Sequence, residues 1–244
     1  MKIRTEWQPI SLKGNEAGIL LLHGFTGSPY ELKDLARFLH ESGYSVEVPL
    51  LPGHGTKVEN LNHIGWKEWK NAAENHLKLM QEKHKIVFAG GLSMGAVLSL
   101  HLAANFDFRG VVAMSGATKI YDWKSSLAPF VRLFVSKFPK NRKFKKGYDS
   151  ALGYQEYPVS GVAQLRKLLR FVRKELPQIS MPALIVHSEK DLRSPIKNSE
   201  EIFQKISSSD KQFVRLAESG HVITVDHERS QVKEAFLKFV KAHE

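Results

Sequence analysis

The 244-residue chain contains no cysteine, which excludes disulfides, thiolate metal sites and a thiol nucleophile while leaving the redox compartment open. No apolar run approaches the ~20 residues of a membrane-spanning helix, and the amino terminus lacks the apolar core of a secretory signal. A soluble, cytoplasmic protein without integral membrane association is therefore expected. His-Glu-x-x-His and comparable metal-binding spacings are missing, and the glycine-rich stretch Gly24 to Gly27 is not followed by Lys-Ser/Thr. Neither a metal, a nucleotide nor any other cofactor is expected. Nothing resembling an interdomain linker interrupts residues 1–244, a length that suits one well-buried domain.

Negative charge is scarce: 36 Lys and Arg face 25 Asp and Glu, for a formal net charge of +11. Much of the excess is local, in Lys137, Lys140, Arg142, Lys143, Lys145 and Lys146. This run reads first as a solvated basic loop and second as a surface attracted to anionic lipid or micelles. No nucleic-acid-binding motif accompanies it, so nucleic acid is not expected as a partner.

What is present is an alternation of short apolar runs and helical patterns. Ile3 to Leu12 suggests one or two edge strands, and Gly18 to Leu22 a buried strand. Ser28, Pro29 and Glu31 form a helix-start signature for Leu32, Leu35 and Leu39, which stop at Gly43. Tyr44 to Val48 (strand), Trp66 to Lys83 (helix), Ile86 to Gly90 (strand), a helix from Ala96, and Gly110 to Met114 (strand) follow. The rhythm resumes with the strand Ala183 to His187, a helix from Pro195 to Ile206, the strand Phe213 to Leu216 and a last helix from Arg229 to His243. Such alternation implies an α/β fold: a mainly parallel sheet with helices on both faces.

Between about 119 and 179 the rhythm breaks. Leu127, Phe130, Val131, Phe134, Val135 and Phe138 recur at helical spacing, as do Val162, Leu165, Leu168, Leu169, Val172 and Leu176. Two amphipathic helices with no strand between them are expected, inserted as a small cap over the carboxyl edge of the sheet. Their apolar faces pack on the body or line a pocket for an apolar substrate.

The chemistry gathers at Gly91-Leu92-Ser93-Met94-Gly95, between a buried strand and a helix. By composition alone, about one chain in twelve of this length would carry Gly-x-Ser-x-Gly, so the pattern is weak until its position is added. A strand turning sharply into a helix drives its central residue toward positive φ, and flanking glycines remove the side chains that would collide. Ser93 then stands at a helix amino terminus, where free N–H groups favour a developing anion.

A serine hydroxyl needs a base, and the base needs an orienting carboxylate. In chain order the loops after the late strands offer Asp191, then His221 beside Gly220. Glu189, Asp226 and Asp122 compete with Asp191; Asp226 lies too near His221 in the chain to reach its ring easily from the far side. An oxyanion would require donors that do not reorient, and Met94 N–H and Phe25 N–H are the candidates. His23 and His54 sit in glycine-flanked loops and read as structural.

Leu22-His23-Gly24-Phe25-Thr26-Gly27, Pro52-Gly53-His54-Gly55-Thr56, Gly91-Leu92-Ser93-Met94-Gly95 and Ser219-Gly220-His221-Val222-Ile223-Thr224 together resemble the small bacterial carboxylesterases and monoacylglycerol lipases of the α/β-hydrolase superfamily, over almost the whole length. The resemblance implies the catalytic triad Ser93, Asp191 and His221 and the oxyanion donors Phe25 and Met94. It also implies a serine carboxylesterase acting on short- to medium-chain esters through an acyl-enzyme, its partner a small ester with an apolar acyl chain. Where monoacylglycerol lipases of this type place a glycerol-contacting glutamate, the match along Ala151-Leu152-Gly153-Tyr154 puts Ala151, with Asp149 or Glu156 as substitutes. A monoacylglycerol lipase is thus the alternative, and a catalytically silent binding protein on the same scaffold is the alternative from another class.

Overall fold

Runs such as Ala17–Leu22 and Ala183–Ser188 are apolar at nearly every position and too short for helices, a composition that suits strands covered on both faces. The computed structural model describes residues 3–15, 17–121, 135–140 and 152–244. Strands β1 (Ile10–Leu12), β2 (Ala17–Leu22), β3 (Ser45–Val48), β4 (Ile86–Leu92) and β5 (Gly110–Met114) precede the cap, and β8 (Ala183–Ser188) and β9 (Lys211–Leu216) follow it. They form one seven-stranded sheet in the order β1-β3-β2-β4-β5-β8-β9, parallel except for the antiparallel edge strand β1.

Alternation along each strand sends its side chains to two separate cores. Ile19, Leu21, Phe88, Val112 and Leu184 meet α1 (Lys33–Glu41) and the last helix, α6 (Arg229–Ala242). Leu20, Leu22, Ala89, Val111 and Ile185 meet α2 (Trp66–Lys83), α3 (Met94–Asn105), α4 (Val159–Glu175) and α5 (Lys197–Lys205). The chain leaves β2 toward β3 on one side and enters β4 on the other. The carboxyl ends of β2 and β4 therefore flank the crevice where strand order reverses, a position that open α/β sheets use for binding.

Three local expectations are corrected. Ser28 does not cap a helix with its side chain; its hydroxyl donates to the Leu152 carbonyl at 3.0 Å, a 3-10 turn spans Pro29–Leu32, and Glu31 turns into the interior. In the cap, Phe138 belongs to a strand: β6 (Lys137–Pro139) pairs antiparallel with β7 (Glu156–Pro158). A ribbon therefore stands where no strand was expected, while α4 matches the second amphipathic pattern. Leu127, Phe130, Val131 and Phe134 of the first lie outside the described residues, as do Asp122, Asp149, Ala151 and the basic residues 142–146. Lys140, read as part of a solvated loop, is buried, with its ammonium 5.2 Å from the Tyr157 ring centre. Aromatic packing and nearby carboxyl groups can compensate such a cation; a bare basic loop could not bury it.

One buried cluster ties the cap to the body. His101 on α3 has Nδ1 2.7 Å from Glu175 Oε2 on α4 and Nε2 2.9 Å from Glu74 Oε1 on α2. Both ring nitrogens face carboxylates, a setting that only the imidazolium satisfies. Burial opposes the charge, but the Glu175 and Glu74 hydrogen bonds outweigh it and raise the His101 pKa. A raised folded value means that the contribution to stability is complete below the ordinary histidine range, ~6.5, and is lost as pH rises through the folded value. Denaturation midpoints should therefore fall between pH 6 and 9 more steeply in the wild type than in His101→Gln; equal slopes would count against a charged His101.

Candidate active site

Ser93 ends β4 and begins α3 with φ 57° and ψ −113°, a strained setting for a residue with a Cβ. Close approach explains its neighbours. A Cβ on Gly95 would lie 1.8 Å from the Leu22 carbonyl oxygen, and one on Gly91 would lie 2.3 Å from the Gly95 carbonyl carbon. Ser93 N–H is spent on the Met114 carbonyl at 2.8 Å, which locks the turn to β5.

His221 arrives from the loop after β9. Its Nε2 stands 2.9 Å from Ser93 Oγ and its Nδ1 2.6 Å from Asp191 Oδ2, so the three side chains form one hydrogen-bonded chain. Asp191 is buried, and its other oxygen, Oδ1, accepts the N–H groups of Arg193 at 2.8 Å and Ser194 at 2.9 Å. Burial pushes this carboxyl upward, but His221 and His187 overcome that and hold it well below the usual carboxylate range. Of the competitors, Asp226 accepts Gly220 N–H at 2.8 Å and braces the His221 loop instead of its ring, and Glu189 is exposed. Glu228 braces the same loop by accepting the N–H groups of Ala217, Glu218 and Ser219.

The sequence reading missed His187. This buried histidine on β8 has Nε2 2.7 Å from the Ser194 carbonyl and 3.2 Å from Asp191 Oδ2, while its Nδ1 lies 2.6 Å from Ser199 Oγ. A polar residue closing the otherwise apolar run Ala183–Val186, four positions before Asp191, was the available signal.

Opposite His221 lies the loop after β2. A Cβ on Gly24 would come 3.5 Å from Ser93 Cβ, so this backbone sits directly against the hydroxyl-bearing residue. His23 and His54 are buried and hold the loop: Leu51 N–H donates to His23 Nε2 at 3.1 Å and Thr26 N–H to His54 Nε2 at 3.2 Å. Burial lowers the His23 pKa to about 4 and puts that of His54 well below the ordinary value, so both rings stay neutral acceptors. Phe25, in the same loop, packs its ring edge-on to Trp69 at 5.7 Å and parallel to Tyr157 of the cap ribbon at 6.5 Å. Met94 follows Ser93 at the first position of α3.

The family model described as "Serine aminopeptidase, S33" matches residues 13–228. The chain belongs to this family of α/β-hydrolases. A thermostable monoacylglycerol lipase from Bacillus sp. (strain H-257) is 32% identical to this hydrolase over 242 residues, covering 97% of this chain and 95% of the lipase. A carboxylesterase from Bacillus subtilis (strain 168) is 31% identical over 248 residues, covering 99% and 98%. Among solved structures, one described under the metagenome-derived lipolytic enzymes LipS and LipT superposes with a TM-score of 0.93 at 28% identity, covering 99% of this chain and all of that one. Among the described residues of this hydrolase, no cluster of three or more His, Cys, Asp or Glu could hold a metal, and no helix is long and apolar enough to cross a membrane. A wide groove of about 1130 Å³ near Lys85, Phe106 and Pro182 lies at the opposite, amino-terminal edge of the sheet and holds none of the residues above.

Proposed function

We propose that this hydrolase cleaves small carboxylic esters through an acyl-enzyme on Ser93, with short- to medium-chain acyl groups as its preferred class. The observation that carries the reading is the continuous Ser93–His221–Asp191 hydrogen-bonded chain, in a protein whose relatives are named carboxylesterase and monoacylglycerol lipase. Ser93 Oγ attacks the ester carbonyl as His221 Nε2 takes its proton; Asp191 holds the ring with Nδ1–H toward itself and stabilises the imidazolium. The tetrahedral oxyanion is held by the N–H groups of Met94 and Phe25. His221 then protonates the leaving alkoxide, and water repeats the sequence to release the acid. In this reading 1–244 is one domain, and its cap, about 119–179, shelters the apolar acyl chain. A cytoplasmic setting is proposed with it. Exposed Lys167, Arg170 and Lys174 on α4 support contact with an anionic lipid surface.

The monoacylglycerol lipase reading has its own support in the 32% identical relative. Glu156, the described substitute for the glycerol-contacting glutamate, is partly exposed and paired with Lys137 at 2.8 Å, which favours the general esterase. Hydrolysis profiles over p-nitrophenyl esters of increasing chain length, with monoacylglycerols and aminoacyl p-nitroanilides included, test the choice. A burst of p-nitrophenol and organophosphate labelling of Ser93 are expected. Absence of both would favour a silent binding protein.

A second test addresses Phe25. Because the backbone is the proposed donor, Phe25→Ala should keep most of kcat, whereas Phe25→Pro, which deletes the N–H, should lose roughly 100-fold or more. Equal losses in the two variants would move the role to the side chain.

A further inference from the structure

We propose that Glu31 is a positioning residue for the oxyanion loop: its buried carboxylate, by accepting Gly24 N–H, anchors Gly24 and with it the start of the next peptide, which presents Phe25 N–H to the reacting oxygen. The inference rests on the ester-hydrolase reading and assigns that site a residue outside the triad and its donors.

The geometry is built around the two peptide units that meet at Gly24: Glu31 holds the N–H of the first, and Gly27 N–H and His23 hold the carbonyl of the second, which carries Phe25 N–H. Gly24 N–H donates to Glu31 Oε2 at 3.0 Å, and Glu31 is only 3% exposed. The next carbonyl, that of Gly24, accepts Gly27 N–H at 3.1 Å and lies 3.0 Å from His23 Nδ1, which donates to it because Nε2 is the acceptor of Leu51 N–H. In a planar trans peptide the carbonyl and the following N–H point in opposite directions. Fixing the Gly24 carbonyl therefore fixes the opposite heading of Phe25 N–H. On the far side, Thr26 N–H is committed to His54 Nε2 at 3.2 Å, and Thr26 holds φ at 61°. The amides on either side of Phe25 are thus both spent on buried side chains.

Packing leaves the Glu31 carboxylate no other place. A Cβ on Gly27 would lie 2.1 Å from its Oε2 and one on Gly24 3.2 Å from the same atom, so the loop is folded around this oxygen. The backbone of Glu31 is tied to the histidine loop as well, since Thr224 Oγ1 donates to its carbonyl at 2.6 Å. A carboxyl group this deep costs several kcal/mol to bury unless its hydrogen bonds are used. Burial moves its pKa up to about 7, against the opposing pull of the Gly24 N–H, Lys140 and Arg193. As an anchor for a helix start it would have had no reason to leave water.

Glu31→Gln, Glu31→Asp and Glu31→Ala separate positioning from mere support. Gln keeps an acceptor oxygen at the same reach and should retain kcat on p-nitrophenyl butyrate within about threefold. Asp withdraws the oxygen from Gly24 N–H and Ala deletes it; kcat should fall about 10- to 100-fold with KM within about twofold, consistent with a displaced oxyanion donor. The inhibition constant of an alkyl trifluoromethyl ketone, whose adduct on Ser93 carries an oxyanion, should rise in the same proportion. Rates are taken per folded molecule, and if Glu31→Ala does not fold, the Asp variant decides. Wild-type kcat and ketone affinity in the Asp variant, or losses in KM alone, would overturn the proposal. Failure of the ester-hydrolase reading shows separately, as a wild-type protein without ester turnover.

Discussion

Asp191→Asn should lower kcat about 10⁴-fold while leaving the fold intact, because it reverses a proton and barely alters shape. Asp191 Oδ1 already accepts two backbone N–H groups, from Arg193 and Ser194, so the amide oxygen of asparagine must take that side. Its NH₂ is then forced toward His221 Nδ1, which sits 2.6 Å from the present Oδ2. To avoid two donors in contact, His221 carries its proton on Nε2, facing Ser93, and can no longer receive the hydroxyl proton. His187 Nε2, which donates to the Ser194 carbonyl at 2.7 Å and also points at Oδ2 from 3.2 Å, opposes this placement of the NH₂, but it is one long contact against the two short backbone bonds at Oδ1. Steady-state kinetics with p-nitrophenyl esters and the tautomer of His221 by ¹⁵N NMR check the prediction. A loss below tenfold would mean that another group orients the ring.

The parts of this site visible in the sequence are those that obey chain-local rules. Ser93 is legible because a glycine two places either side is demanded by backbone contacts, and those contacts appear at Leu22 and Gly95. Asp191 and His221 are legible because a parallel sheet delivers functional loops only at strand ends, in an order fixed by the chain. Glu31 was not legible as a buried carboxylate. Its position after Ser28-Pro29 satisfies a helix-start pattern, and only the loop folding over it, with Gly24 and Gly27 lacking side chains, turns it inward. The cap ribbon was hidden for a different reason. Phe138 continues a helical spacing begun at Leu127, whereas its pairing with Tyr157 depends on a partner in a separate strand, far outside that spacing. Helix α4 had no such competitor, and its stripe from Val162 to Val172 meets the body as the spacing implied.

The glycine rule also yields the largest expected loss of structure. Gly95→Ala places a methyl 1.8 Å from the Leu22 carbonyl oxygen, 2.4 Å from its carbon and 2.8 Å from the His23 carbonyl oxygen. All three are main-chain atoms at the end of β2, so no rotamer change relieves the overlap. Either α3 lifts from the sheet or β2 shifts against β4, with which it is paired from Ala17 to Leu22. Overpacking in a core ordinarily costs 1–3 kcal/mol, and contact with immovable backbone belongs at or beyond the upper end, so a loss of at least about 3 kcal/mol is expected. Ser93 heads the displaced helix, so whatever folds should also lose roughly 100-fold or more in kcat. Gly24→Ala is the informative contrast: Ser93 Cβ at 3.5 Å and the Leu92 carbonyl oxygen at 3.6 Å are ordinary contacts, and only the Glu31 carboxylate at 3.2 Å must shift, by tenths of an ångström. That variant should keep most of its stability and show its defect in kcat. Urea denaturation alongside active-site titration separates the two. Similar stabilities for the two variants would mean that the approach of α3 to β2 is not what requires glycine two positions after Ser93.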